Sequence, residues 1–417
     1  MIVKSSLAEN QKSIKSHAYT FGIEEEFFIT KRSSRETCQT MPKRLEEICA
    51  NPALEEFQRE LLQSQIEAST PPLTDMREAK IRLTAYRATL NEVAGERGYG
   101  MVAAGTHPKA LRARQRNAEG ARYRLLMRDL QILGQRNMVC GLHVHVAVAN
   151  LDDRVRLMAR LTPFLPLLLA LSTSSPFWEG RPTGLMGYRL ASYDELPRTG
   201  LPDIFETKDD YDRYIQTMVA AKAVKDASYV WWAVRPSVRH PTLELRVADA
   251  CTNVDHAIAI AALYRALVRK LERDPSLNAG IDAPARAIAL ENKWRAQRYG
   301  VRGTFIDAER QRSVPVRRKL EDLIELVGED AEALGCLPEV LSARDIVKRG
   351  ASANKQAALY KWALKGGATR VEAVNGVVDW LLAATAAGAG SEEAAAAGVF
   401  ARGALGAEPG RGIDAQG

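Results

Sequence analysis

The chain lacks most of the local signatures that betray a function at first reading. Its 417 residues contain no G-x-x-x-x-G-K-[ST] run and no strand-linked G-x-G-x-x-G, and "GYGMVAAG" has its glycines at the wrong spacing. A phosphate-cradling glycine loop is thereby excluded, so a bound nucleotide would depend on metals and basic side chains. The five cysteines (Cys38, Cys49, Cys140, Cys251, Cys336) are scattered, odd in number and without a CxxC pair, which argues against a disulfide framework and a thiolate zinc site. No serine or cysteine stands in a recognisable nucleophile motif. No apolar run reaches the length of a membrane span, and the longest, Leu161 to Leu171, carries Pro163 and Pro166 and reads as a buried helix. The N-terminal stretch has Lys4, Lys12 and Lys15 but no continuous apolar region and no small-residue cleavage site, so a cytoplasmic location is expected. The formal charge of +7 is interspersed with acids rather than gathered into a tract, and no nucleic-acid-binding module is recognisable.

What the chain does have is periodicity. A hydrophobic content of 46% is ample for a packed core. Over the first 270 residues strands alternate with helices: strands at 20 to 30, 61 to 70, 99 to 105, 138 to 149, 228 to 234 and 242 to 249, and helices at 75 to 97, 120 to 135, 152 to 171, 208 to 224 and 254 to 273. The helix from Asp75 opens on Asp75-x-x-Glu78, which resembles a capping box, and stops at Gly98. Beyond residue 280 the pattern is helical, near 286 to 298, 313 to 328, 352 to 365 and 369 to 386. From about 386 the composition is Ala/Gly-rich with few large apolar side chains, which predicts a disordered tail.

Four of the strands share a peculiarity. Side chains alternate across a strand, so "FGIEEEFFI" puts Gly22, Glu24, Glu26 and Phe28 on one face and Phe21, Ile23, Glu25, Phe27 and Ile29 on the other. In "LLQSQIEAST" the polar set is Gln63, Gln65 and Glu67; in "NMVCGLHVHVAV" it is Gly141, His143 and His145; in "TLELRVAD" it is Thr242, Glu244 and Arg246. On one antiparallel face a single Glu or His is ordinary. Agreement among four strands is not, and it predicts a concave surface lined by four carboxylates, two imidazoles and an arginine. Clustered carboxylates with imidazole suit a hard divalent cation that shares its shell with phosphates. Glu25, on the apolar face, is expected to pair with a buried arginine. His107 and His240 read as turn residues, and His17 and His256 carry no functional signal.

At these motifs the chain resembles the carboxylate-amine ligase family, the bacterial type 2 branch of the glutamate-cysteine ligase superfamily. The residues that carry the resemblance are "FGIEEEFF", "ELLQSQIEASTPP", "GTHP", "GLHVHV", "YRLASYDELPRTGLPD" and "WWAVRPSVRHPTLELRVADACT", in order, over roughly residues 19 to 275. The resemblance implies an α+β fold, a curled, funnel-like antiparallel sheet of about six strands with helices packed outside, related to glutamine synthetase. It implies an ATP-dependent ligase that activates a carboxylate as an acyl phosphate and joins it to an amine, with Mg²⁺, or Mn²⁺ in its place. Glu24, Glu26, Glu60, Glu67, His143 and Glu244 match the family's metal-binding positions, with Glu67 and Arg246 at the chemistry and Arg246, His145 and Gln65 towards the nucleotide. Glu60 is an odd number of residues from Glu67 and needs a helical turn or bulge to face the same way. Arg189, Arg198 and Arg235 are the candidates for a substrate carboxylate.

Ala233 stands where family members usually carry an acid, and Arg239 and His240 stand where a glycine turn is usual, changes that bear on substrate preference. The expected substrates are a glutamate-like acid and an amine such as cysteine; no nucleic acid and no membrane are expected, and a homodimer is implied. The expected organisation is an extension over 1 to 18, one catalytic unit over 19 to 385 (sheet core to 275, helical part beyond), and the tail over 386 to 417. Two rival readings remain open: a zinc hydrolase using His143, His145 and a carboxylate, and a nucleotide-binding homologue without catalysis.

Overall fold

The structure, a computed structural model, describes residues 19–387. The expected N-terminal extension, His17 and the Ala/Gly-rich tail from 388 lie outside the described residues; 386 and 387 belong to a helix that runs to Ala387.

An open, wholly antiparallel eight-stranded sheet forms the centre, with α-helices around it. Its strands are β1 (Phe21–Lys31), β2 (Glu36–Thr37), β3 (Phe57–Arg59), β4 (Gln65–Ser69), β5 (Tyr99–Val102), β6 (Gly141–Ala147) and, after a small hairpin of β7 (Phe177–Trp178) and β8 (Arg181–Pro182), β9 (Val234–Pro236) and β10 (Thr242–Asp249). The order is β3-β4-β1-β6-β10-β9, with β2 and β5 also pairing with β1. The α+β sheet expected from the sequence is thus present, with eight strands rather than about six.

Strand β1 is the hub. Along one edge it pairs with β6 from Phe21 to Glu25 and then with β5 from Phe28 to Lys31. Between those ladders, at Glu26 and Phe27, the β6 chain has already turned away, because Cys140 N–H bonds to Gly105 O instead. The apolar face of β1 lies against the helices Met76–Gly95 and Val254–Arg273. The second of these is buried almost all round, from Ala257 to Leu271, as expected for a helix enclosed on several sides. On the opposite face Phe28 belongs to an apolar cluster with Val374, Val377, Val378 and Leu381 of the helix Arg370–Ala387.

Several boundaries differ from the sequence reading, each for a backbone reason. Leu61 to Ser64 form a turn, with Gln65 N–H bonded to Leu62 O, so Gln63 does not share a face with Gln65 and Glu67 and bonds to Asn117 O instead. The strand expected at 228 to 234 forms only at Val234–Pro236, because Trp231 and Ala233 donate to the carbonyls of Arg198 and Gly200 rather than to a neighbouring strand. Asp75 caps its helix through Arg77 N–H, and Glu78 pairs with Arg82 rather than completing a capping box. The helices Lys43–Ala50, Tyr188–Tyr193 and Leu337–Arg349 were not anticipated, nor was the hairpin of β11 (Thr304–Asp307) and β12 (Arg312–Pro315) in the part read as helical. The segment Leu151–Ser172 is apolar and long enough to be weighed as a membrane span, and its most apolar 18-residue window is 83% buried within the protein.

Glu25 finds the partner expected of it. Its carboxylate receives Arg87 Nε at 2.9 Å and Nη2 at 2.5 Å, while the remaining guanidinium donors go to the carbonyls of Cys251 and Thr252. Both side chains are buried, so each charge depends on the other. Arg87→Leu is expected to destabilise the protein by about 3–5 kcal/mol, and Glu25→Leu combined with Arg87→Leu by much less. Urea denaturation of both variants checks this, and a loss below about 1 kcal/mol for the single variant would contradict it.

Candidate active site

Sheet register assembles the site. Glu26 of β1 lies directly opposite Glu67 of β4, Glu24 lies opposite His143 of β6, and His145 lies opposite Glu244 of β10, which in turn faces Arg235 of β9. Five strands therefore contribute to one polar patch. Glu60 joins it through the hairpin of β3 and β4: Gln58 is opposite Glu67, and continuing that register sets Glu60 beside Gln65 on the same face. Its odd spacing from Glu67 is the parity of a hairpin, and no bulge is involved.

Ligand atoms of these residues form three overlapping groupings, each within 4.8 Å: Glu24, Glu67 and His143; Glu24, His145 and Glu244; Glu26, Glu60 and Glu67. Glu24 and Glu67 each belong to two. The two imidazoles fall in different groupings, unlike the single two-histidine centre that the zinc reading needs. His143 Nδ1 is 3.1 Å from Glu24 Oε2, and His145 Nδ1 is 3.0 Å from Thr242 Oγ1, which fixes both rings. Their Nε2 atoms are buried without a hydrogen-bond partner, although Glu26 Oε1 is 3.7 Å from the first and Glu24 Oε1 is 3.1 Å from the second. Carboxylate oxygens with unpartnered imidazole nitrogens, at ligating separations, fit a divalent cation of the Mg²⁺ or Mn²⁺ type.

Electrostatics divide the cluster in two. Burial pushes the Glu60 carboxyl up to about 7, with help from the Glu26 charge. Burial, followed by Glu24, Glu60 and Glu26, raises Glu67 well above the carboxylate range. Glu60 and Glu67 form no ion pair with a lysine or arginine among the described pairs, the Arg246 charge only partly offsets burial at Glu60, and like charges at such separations favour the protonated form. At the other end burial would raise Glu24, but His143 and His145 outweigh it and hold its pKa well below the usual value. Burial would likewise raise Glu244, yet Arg246 and Arg235 hold it far down. Burial, with the Arg246 charge, lowers His143; for His145 the Glu24 carboxylate overcomes burial and raises it.

The arginines named from the sequence have distinct surroundings. Arg246 joins Glu244 through Nη1 and the Tyr193 hydroxyl through Nη2 at 3.3 Å. Arg235 grips Glu244 with Nε at 2.7 Å and Nη2 at 3.2 Å and spends Nη1 on the carbonyls of Ser228 and Val230. Arg198 stands apart, with Nε on Tyr229 O and its guanidinium over Trp231. Arg189 is buried beside the patch, over the Tyr193 ring and bonded to Arg246 O. Gln65 faces the patch but donates to Val139 O at 2.7 Å. Gly141, whose N–H reaches Glu26 Oε2 at 2.5 Å, and Thr242 were on the polar faces read from the sequence but without a role, and Tyr193 was not singled out. Tyr193 lies four residues past Arg189 within the quoted "YRLASYDELPRTGLPD", the one local signal that could have found it. His240 stands at the rim, its ring edge-on to His145 with centroids 5.7 Å apart.

Comparison with known proteins bears on the family and the fold. The model of the glutamate-cysteine ligase family 2 matches residues 20–375. A protein of Bradyrhizobium diazoefficiens named "Putative glutamate--cysteine ligase 2" is 45% identical over 347 residues, covering 83% of this chain and 81% of that one. The fold is similar to that of the glutamate-cysteine ligase of Francisella tularensis solved with AMP, with a TM-score of 0.64 at 13% identity over 95% of this chain and 96% of that one. It is also similar to the bifunctional glutathione synthetase of Pasteurella multocida, with a TM-score of 0.63 at 14% identity, covering 91% of this chain and 54% of that chain, so this chain spans about half of that protein.

Because ligation needs the carboxylate form, metal binding must expel the protons that Glu60 and Glu67 retain. Apparent Mn²⁺ affinity is therefore expected to rise with pH through the region of about 7, where Glu60 is placed, with protons released at pH 6. Titration calorimetry in buffers of different ionisation enthalpy checks this, and Glu60→Gln should diminish the release. Affinity independent of pH from 5.5 to 8 would contradict the shifts.

Proposed function

Because the chain belongs to glutamate-cysteine ligase family 2 and is an enzyme of the carbon–nitrogen ligase class, we propose that it joins a glutamate-like carboxylate to an amine such as cysteine, using ATP and an acyl phosphate. The observation that carries this reading is the patch of five carboxylates and two imidazoles on one concave face, with no nucleophilic side chain required. A carboxylate oxygen attacks the γ-phosphorus of ATP and the bond to the β-phosphate oxygen breaks, releasing ADP. The amine nitrogen then attacks the acyl carbon, phosphate departs, and the amine gives up a proton.

Glu24, Glu26, Glu60, Glu67, His143 and Glu244 are the residues that would hold Mg²⁺ or Mn²⁺, and His145 completes the grouping of Glu24 and Glu244. A bound divalent cation supplies charge neutralisation to phosphate oxygens during transfer. The chain's own residues do the positioning. Arg235 and Arg246 orient Glu244 from two sides, and Thr242 fixes the His145 ring. Arg246 Nε, buried and unpartnered, remains for the nucleotide or substrate. Gln65, held by Val139 O, serves better as a wall of the nucleotide pocket than as a mobile contact. The same reading takes residues 19 to 385 as one catalytic unit, places the enzyme in the cytoplasm and gives it small-molecule partners and a homodimeric assembly.

The test is hydroxamate formation from ATP, Mg²⁺, hydroxylamine and a panel of amino acids led by glutamate. The unaltered protein is expected to form hydroxamate with one acid. Glu67→Gln is expected to keep its circular dichroism spectrum while turnover falls beyond the roughly 10–100-fold lost when a residue one shell outside a metal is altered. Near-normal turnover and Mg²⁺ dependence in Glu67→Gln would remove Glu67 from the site.

A further inference from the structure

Arg189 is a buried cation that the protein leaves incompletely satisfied. It is 2% exposed, its Nη1 donates to Arg246 O at 3.1 Å, and its Nε has no partner. Among the described ion pairs no carboxylate lies within 4.0 Å of it. The other deeply set arginines are treated differently: Arg87 has Glu25 and two carbonyls, and Arg235 has Glu244 and two carbonyls. A guanidinium offers five donors in a fixed fork, and leaving the buried Nε unpaired is costly even though the buried Asp249 carboxylate feels the Arg189 charge. A ligand that offers oxyanion acceptors would remove that cost.

The position of the fork identifies what it addresses. A Cβ built on Gly141 would lie 2.3 Å from Arg189 Nη2, 2.8 Å from Cζ and 3.0 Å from His143 Nε2. The guanidinium thus rests on the bare backbone of β6, next to an imidazole nitrogen that also lacks a partner. A Cβ at Gly141 would push the fork aside. Its helix is anchored from below: Arg189 N–H donates to Ser175 Oγ, and Ser175 Oγ donates to Asp249 Oδ2 at 2.6 Å. Asp249 also receives Ser174 N–H, and Gly105 lies so close that a Cβ there would be 2.5 Å from the carboxylate carbon. The alternatives are already engaged, Arg198 with Tyr229 O and the Trp231 ring, and Arg235 with Glu244.

We propose that Arg189, seated on Gly141, forms a buried oxyanion subsite at the floor of the acidic patch. It takes the reacting end of a substrate, either phosphoryl oxygens or the carboxylate to be activated. This rests on the ligase reading for its role, while its binding chemistry can be tested separately. The guanidinium's planar fork suits either anion, and its place beside His143 sets it where phosphate and carboxylate would meet.

The experiment titrates inorganic phosphate and, separately, glutamate into the Mg²⁺-loaded full chain, comparing the unaltered protein with Arg189→Met, Arg189→Lys and Gly141→Ala. In Gly141→Ala the charge is kept but the fork is displaced. Variants are compared at equal Mn²⁺ affinity, which reports an intact patch. At least about a tenfold loss for phosphate is expected if the subsite holds phosphoryl oxygens, and for glutamate if it holds the carboxylate. Undiminished binding of both anions in the variants, or no binding of either by the unaltered protein, overturns the proposal. ADP binding by the unaltered protein is scored in parallel. Phosphate or glutamate bound through Arg189 without any affinity for ADP would keep the subsite and sink the ligase reading.

Discussion

The structure turns on a clash of like charges that the protein itself does not resolve. Glu26 and Glu67 are direct cross-strand neighbours, and Glu60 completes a trio with them. Opposed like charges weaken a sheet, and burial makes each of them more costly. Nearby, the same sheet compensates its acids with care, giving Glu25 to Arg87 and Glu244 to Arg235 and Arg246. The capacity to neutralise a carboxylate is therefore present, and no described ion pair with a lysine or arginine extends it to Glu60 or Glu67. Burial and the repulsion of neighbouring carboxylates favour the protonated form here, which is the physical content of the raised Glu60 and Glu67 values.

That asymmetry organises the rest of the molecule. β1 must carry two glutamates inward and one outward, so its outward face needs Arg87 from the helix Met76–Gly95, and Arg87 in turn ties down the segment after β10 through Cys251 and Thr252. Because the β6 chain leaves β1 at Glu26, the Gly141 N–H is free to meet that carboxylate, and the space above Gly141 is free to take Arg189. Phe28 shares an apolar cluster with the helix Arg370–Ala387, so on β1 the polar patch gives way to apolar packing at Phe28.

The concave face was legible from the sequence because strand alternation has a period of two and the register had only to bring four strands together. Glu24, Glu26, Glu67, His143 and Glu244 all lie where alternation put them. Gln63 failed the same rule because Leu61 to Ser64 form a turn, which a run of alternating residues does not reveal. Glu60 reached the patch through a hairpin whose pairing is a property of two strands and is invisible in either. The arginines were the least legible, since a long side chain is placed by what it touches. Arg189, Arg198 and Arg235 looked equivalent in the sequence, yet one is buried with donors to spare, one stacks on Trp231 and one is bound to Glu244.

The central claim is that an acid is activated by phosphoryl transfer over this patch. Turnover with glutamate, or whichever acid the panel identifies, labelled with ¹⁸O in the reacting carboxylate tests it most directly. Attack of that carboxylate on the γ-phosphorus predicts one ¹⁸O atom in each phosphate released alongside ADP. Amide product accompanied by phosphate free of ¹⁸O would contradict the account.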